Sequence, residues 1–527
     1  MILKGFLRKG EYFDSVTLMI AAKKIRETPG VHDAAVVMGT KENREILKAS
    51  GLLIQEFRDC EDSDLLIAVK AKNDAAAGNA LRQAEEHLTN VGRRSETSSQ
   101  PRPRNLEEAL KLLPDANLAM ISISGRYAGD VAMQALQNGL HVMIFSDNVS
   151  LEKEVQLKRY AKKRRLLVMG PDCGTAILNG IPLAFANVVK RGDVGIVAAA
   201  GTGLQEVSSI LSNEGVGISQ AIGTGGRDVK KEVGGLMFME GLLALAEDPS
   251  TRRIVLISKP PHETAAKKIL QTARRCGKPC VVVFLGQKLP RRIGPRLYGT
   301  NTLEEAALTA AALCKKGKPD PFSKRLRDQE KEEQRLAKYE AEKKSEGQKY
   351  IRGLFSGGAL CAEAQVVFRS FLREVHSNAP IKPWKKLENS LSSLGHTAVD
   401  LGEDEFTVGR PHPMIDYSLR NSRILEEAKD PGTAVILLDV VLGYGSHPDP
   451  SGELCPAILK ARAIAKNDRR HLSLVCSITG TAQDPQDRKR VRKNLQDAGA
   501  LVLPSNASAG RTASHIVRFL EMKHGGR

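Results

Sequence analysis

Short apolar runs, each closed by glycine or small polar residues and followed by a stretch of helical periodicity, repeat along most of this chain. The clearest is DVGIVAAAGTGLQE at 193–206. There 194–198 predicts a buried strand, Gly201-Thr202-Gly203 a turn, and the residues after it a helix start. A strand, glycines and a helix N-terminus together make an anion site. The first helical turn has unpaired N–H groups and roughly half a positive charge, and glycine admits a close approach. No Gly-Lys-Ser/Thr follows, and the dinucleotide pattern G-x-G-x-x-G is incomplete, so neither a Walker A loop nor a dinucleotide fingerprint is present. By itself, a glycine turn after a strand is equally well just a turn.

The same pattern, taken in order, predicts an α/β protein of several Rossmann-like and flavodoxin-like doubly wound parallel-sheet domains. Residues 1–90 predict a small α/β domain, with strands at 2–8, 31–38 and 64–70 and helices at 15–27, 42–48 and 75–87. Residues 91–104, VGRRSETSSQPRPR, have the composition of a linker. Residues 105–190 predict a Rossmann domain. Its strand ends are Ser124-Gly125-Arg126, Ser146-Asp147-Asn148 and GPDCG at 170–174, small and polar as a nucleotide or CoA edge requires. Arg126 suits a phosphate. Residues 191–314 predict a second doubly wound unit, in which the strand at 217–222 ends in GTGGRD. Residues 315–349 are rich in charge and poor in apolar positions, and predict a solvated, partly helical, partly disordered linker. Residues 350–527 predict a third α/β unit, whose first strand runs into Ser356-Gly357-Gly358 and a helix.

Composition narrows the partners. The chain has 527 residues, enough for two to four domains, and a formal charge of +18. Such a balance suits nucleic acid, an acidic surface or anionic small molecules. Aromatics are only 4%, which argues against base stacking and so against nucleic acid. The densest basic run, KRYAKKRR at 158–165, is expected on a solvated helix face. The eight cysteines lack paired metal or redox spacing, Cys276 and Cys280 included. Free thiols in a reducing cytosol are expected, with no metal site. No secretion signal and no apolar run of about 18 residues is seen, so a cytoplasmic protein is expected.

With Ser356-Gly357-Gly358 a resemblance becomes visible. The two strand–glycine–helix stretches resemble the phosphate-facing helix ends of succinyl-CoA synthetase, one from each subunit, here on one chain. More specifically, the chain resembles the FdrA group of acyl-CoA-synthetase-like proteins. The stretches that carry this are Asp14-Ser15-Val16, LVMGPDCGT (167–175), PLAFANV (182–188), AIGTGGRD (221–228), TVGRPHPMID (407–416) and LLDVVLGYG (437–445). One departure from succinyl-CoA synthetase bears on chemistry. That enzyme carries a phosphorylated histidine after the last strand of its ligase unit. The corresponding stretch here, LGQKLPRRIGPRLYGT (285–300), has none, and no ATP-grasp unit is visible. A phosphohistidine relay is therefore not expected.

The resemblance implies phosphate or CoA as the bound small molecule. It also implies a subunit of oxamate carbamoyltransferase, converting oxalurate and phosphate to oxamate and carbamoyl phosphate in allantoin breakdown, in a hetero-oligomer with operon-encoded partners. An acid–CoA ligase of the succinyl-CoA synthetase type, and a non-catalytic CoA- or nucleotide-binding regulatory module, are the alternatives. On these readings Gly201, Thr202 and Gly203 face Gly357 and Gly358 across the phosphate, with Gly225, Gly226 and Arg227 closing the pocket. Arg410 is a candidate for gripping the substrate carboxylate, His412 for moving a proton, and Asp416 for orienting His412. Cys173 is not expected to be a nucleophile, and Asp439, inside a strand, is expected to be structural.

Overall fold

A computed structural model describes residues 1–527 apart from 12, 14, 97–102, 104, 316–320, 408–410 and 525–527. It divides into two compact units, Met1–Ala116 with Thr407–Pro411, and Asn117–Phe406 with His412–Arg527.

The first unit is built on an antiparallel sheet with strand Leu65–Ala71 between Ile2–Arg8 and Val31–Met38. The central strand reads LLIAVKA and is apolar on both sides because both faces are covered. Leu65, Ile67 and Val69 join Leu18, Ile25, Ala77, Ala80 and Leu88 from helices Ser15–Arg26 and Asp74–Glu96. Leu66 and Ala68, on the other face, join Leu47, Leu52 and Phe57. The third helix runs to Glu96, into the stretch expected to be linker from 91.

The second unit holds three sheets. The Rossmann part is a three-stranded parallel sheet, Leu118–Ile121, His141–Ile144 and Val168–Met169. The next sheet has eight strands, with Arg191–Ala199 between Ile218–Gly223 and Arg253–Ser258, all three parallel. A hairpin that sequence pattern missed, Thr175–Leu178 with Ile181–Ala184, extends this sheet antiparallel, although 105–190 were expected to be a separate domain. The last sheet has seven strands, all parallel to their neighbours, with Tyr350–Phe355 between Thr397–Asp400 and Thr433–Val441. Between the two large sheets one apolar core collects Val207 and Leu211, Ala306 and Ala310, Leu360 and Ala364, and Ala513 and Val517 from four helices.

One charge-based expectation is corrected, and a second holds except at one residue. The segment 315–349 is not a solvated linker where it is described. Helix Pro321–Glu342 is docked: Ala337 and Ala341 are buried, Glu333 accepts from Arg511 Nε at 2.8 Å and from Ser508 Oγ at 2.5 Å, and Glu340 pairs with His471. Lys344, just past the helix, donates to Ala434 O, His471 O and Ser473 Oγ. The charges find buried partners that composition does not reveal. In the basic run at 158–165, Arg159, Lys162, Lys163, Arg164 and Arg165 are exposed as expected. Lys158 is the exception, fully buried with its ammonium on Glu154, Asp228 and Thr224 O at 2.8–3.0 Å. Among the described residues no helix is long and apolar enough to cross a membrane.

Candidate functional site: two helix ends and a lysine

Strand Arg191–Ala199 feeds helix Gly201–Asn213 through Ala200, and strand Tyr350–Phe355 feeds helix Gly358–Phe368 through Ser356 and Gly357. Neither helix is capped by the side chain of its own N-cap residue, so backbone donors are left for partners from elsewhere in each first turn. The two starts meet. Ala359 N–H donates to Thr202 Oγ1 at 3.2 Å, and a Cβ on Gly203 would stand 3.3 Å from Ala359 Cβ. A Cβ on Gly357 would stand 2.9 Å from Thr202 Cγ2. Gly201, Thr202, Gly203, Gly357 and Gly358 are thus assembled in one place.

Buried side chains fix both turns from behind. Asp439 accepts from Ser356 N–H and Gly357 N–H, each at 2.8 Å, and from Ser356 Oγ at 3.0 Å. Its charge is met by the buried Arg420 at 3.0 Å. Asp439 is therefore structural as expected, and what it holds is the glycine turn itself. Deeper along the helices lie two carboxyls that sequence reasoning missed, Glu206 and Glu363, each six residues into its helix. Asn506 ties them together: its N–H donates to Glu206 Oε1 at 3.0 Å and its Nδ2 to Glu363 Oε2 at 2.8 Å. Glu363 Oε1 also accepts from Leu303 N–H at 2.6 Å. Burial first, and then the Glu206 charge, push the Glu363 carboxyl up to about 8, so it is protonated at neutral pH. The sequence signal was a glutamate recurring at one offset after each glycine-led helix start.

Lys259 was also missed. It follows strand Arg253–Ser258, and its ammonium lies 3.6 Å from Asp400 Oδ2 and 3.5 Å from Glu403 Oε1. A Cβ on Gly358 would stand 2.5 Å from it and would crowd Asp400 Oδ2 as well, so the glycine gives this ion pair room at the helix start. Burial opposes the lysine charge, but Asp400 and Glu403 more than offset this and hold it above the ordinary lysine range.

The Rossmann strand ends also come together. A Cβ on Gly125 would collide with the carbonyl of Asp147 and stand 2.7 Å from the Asn148 carbonyl carbon, and Ser146 Oγ accepts from Ile123 N–H at 3.0 Å. Ser124 and Arg126 are exposed, the Arg126 guanidinium 5.7 Å from the Tyr127 ring centroid. Gly225 packs against Gly170 and Pro171, and Gly226 lies by the Ala199 carbonyl, so this turn borders the first helix start. Cys173 is buried and its thiol is pushed up to about 12 by burial, which removes it as a nucleophile.

Two expected roles are corrected, and a third lies outside the described residues. Arg227 is not a clamp on the ligand, because its guanidinium is taken by Glu154 at 2.9 Å and Val149 O at 2.8 Å. Asp416 does not orient His412. Its carboxylate accepts from Ser418 N–H at 2.9 Å and Ser418 Oγ at 2.5 Å, at the start of helix Ser418–Lys429. Arg410 lies outside the described residues, as does Asp14. His412 is near the second helix start: a Cβ on Gly402 would stand 2.9 Å from His412 Nε2 and 3.1 Å from Ser356 O. Its Nδ1 accepts from Met414 N–H at 3.2 Å, and burial lowers the imidazole to about 4, leaving it neutral at pH 7.

Two stretches that carry the resemblance, 182–188 and 437–445, are joined. Ala186 bridges to Tyr444, and Asn187 Nδ2 donates to Leu442 O at 2.9 Å. Comparison with known proteins gives the family. Escherichia coli YahF is 41% identical over 517 residues, 98% of this chain and 99% of that one. The chain belongs to the YahF family of FdrA-like, acyl-CoA-synthetase-related proteins. Residues 354–516 match the CoA-ligase family model, and residues 1–103 the heavy metal-associated domain of AllF. The Staphylococcus epidermidis succinate–CoA ligase (ADP-forming) α subunit is 29% identical over 199 residues, 36% of this chain and 64% of that one. The Archaeoglobus fulgidus α subunit 1 is 26% identical over 225 residues, 41% and 75%. Among solved structures, PH0766 of Pyrococcus horikoshii covers 78% of this chain and 85% of its own at 15% identity, with a TM-score of 0.31, too low to bear on function.

The residues of the first unit do not fit a heavy metal. Its one cysteine, Cys60, is buried with Sγ 3.6 Å from Gly39 O, and burial raises its thiol. Among the described residues no three His, Cys, Asp or Glu side chains gather as a ligand set.

Proposed function

We propose that this acyl-CoA-ligase-related protein transfers an acyl group to or from phosphate where the two helix starts meet. On this reading it is a subunit of an oxamate carbamoyltransferase, converting oxalurate and phosphate to oxamate and carbamoyl phosphate. The carrying observation is the 3.2 Å contact of Ala359 N–H with Thr202 Oγ1, between two helix N-termini that their own N-cap side chains leave uncapped. A phosphate oxygen attacks the terminal ureido carbonyl of oxalurate. The C–O bond forms, the C–N bond to the oxamate nitrogen breaks, and the phosphate proton passes to that nitrogen. Backbone donors of the first turns bind the phosphate and the developing oxyanion, so positioning and charge stabilisation supply the rate. His412, neutral at pH 7, is the side chain suited to moving the proton. The missing histidine at 285–300 supports a direct route with no phosphoenzyme.

The test is carbamoyl phosphate formation from oxalurate and phosphate, followed by 31P NMR, using this chain with its partner subunits. No product with all partners present rejects the carbamoyl reading. The match of residues 354–516 to the CoA-ligase model favours a second reading, an acid–CoA ligase. Radiolabelling of the protein by [γ-32P]ATP, or calorimetric binding of CoA, would select it.

A further inference from the structure

We infer that Lys259 is the anion-binding cation of this site, and that its ligand is a tetrahedral oxyanion, phosphate or the phosphoryl end of an acyl phosphate. This rests on the reading above and names a residue that reading does not.

The ammonium stands against the first turn of helix Gly358–Phe368, with the start of helix Gly201–Asn213 beside it. Helix starts carry positive partial charge, so a cation there is repelled from both. Asp400 and Glu403 hold it in place, but at 3.6 and 3.5 Å, longer than the 2.7–2.9 Å or so of a closed lysine–carboxylate hydrogen bond. The ammonium is therefore tethered without being saturated. Its side chain is 35% exposed while that of Asp400, whose Oδ2 stands at the same helix start, is 3% exposed, so a solute reaches the lysine more readily than the carboxylate. An oxyanion at the helix ends satisfies all three positive centres at once and draws the ammonium away from Asp400 and Glu403. Lysine, with its compact charge on a flexible stem, suits such a move. Asp400 is then a competitor for Lys259 as well as its tether, and this gives the two residues opposite effects on binding.

Inorganic phosphate binding to the full chain, by calorimetry at constant ionic strength, is the test. Lys259→Met is expected to weaken phosphate binding by about tenfold or more, the loss of a charge-assisted hydrogen bond, and Lys259→Arg by much less. Asp400→Asn is expected to tighten it several-fold, a gain that no merely structural role produces, and one that remains readable if Lys259→Met fails to fold. Unchanged phosphate affinity in folded Lys259→Met, or weaker binding in Asp400→Asn, overturns the assignment and leaves the acyl-phosphate reading standing. Absence of phosphate binding by the unsubstituted chain overturns both.

Discussion

Glu363→Gln should change how stability depends on pH, and the size of the effect follows from the site. The Glu363 carboxyl lies behind the second helix start, fully buried, with Glu206 as its charged neighbour. In the fold it titrates at about 8, against 4.5 for an ordinary glutamate. Below pH 4.5 it is protonated in both the folded and the unfolded chain, and its contribution is fully present. Between 4.5 and 8 the unfolded chain has released the proton and the folded chain retains it. Stability therefore falls as pH rises, by about 1.4 kcal/mol per pH unit and about 5 kcal/mol over the whole interval. The Gln variant has nothing to titrate. Its amide faces Asn506 Nδ2, which adds an offset, but that offset does not vary with pH. Urea unfolding of both proteins at pH 5, 6, 7 and 8 isolates the slope, since every other titrating group cancels in the difference. The unsubstituted protein should lose stability relative to the Gln variant at each step upward. Parallel curves would show that Glu363 is ionised in the fold, and would refute the account of a neutral carboxyl locking the two helices through Asn506.

Asp439→Asn breaks the buried pair with Arg420 and weakens the grip on Ser356 and Gly357, and should cost about 3–5 kcal/mol in denaturant unfolding. His412, lowered to about 4 from 6.5, takes up a proton in the unfolded chain before it does in the fold. Stability should therefore fall as pH drops from 6.5 to 4, and His412→Asn should level that part of the curve. Lys344→Met leaves the buried Ala434 carbonyl and Ser473 Oγ without this donor, while His471 O keeps Gln348 Nε2, and should cost about 1–3 kcal/mol by the same unfolding measurement. Limited trypsinolysis should spare Arg327–Lys343 in the unsubstituted chain, because that helix is docked; rapid cleavage throughout would restore the linker reading of the segment.

The two helix starts were legible because they depend on short-range features: an apolar run long enough for a buried strand, then glycines, then helical periodicity. That they meet was not written in either stretch, and entered only through the resemblance. The residues that sequence reading misjudged share a physical cause. Lys158, Lys344 and Glu340 were read from the sign and density of nearby charges, as solvated groups, and Arg227 from its glycine turn, as a ligand clamp. Each is placed instead by a partner far away in the chain: Asp228 for Lys158, Glu154 for Arg227, Ser473 for Lys344, His471 for Glu340. Local composition does not carry that pairing, and at Lys158, Lys344 and Glu340 desolvation makes it matter, since an unpaired charge there would not remain buried. Lys259 was invisible for the same reason, as one lysine before two prolines, although its neighbour Gly358 had been singled out for its backbone alone. The glycine serves two ends there. It opens the helix start to a ligand, and it is the gap through which a lysine from another strand reaches the same point, so a methyl group at 358 should impair the backbone donors and the cation together.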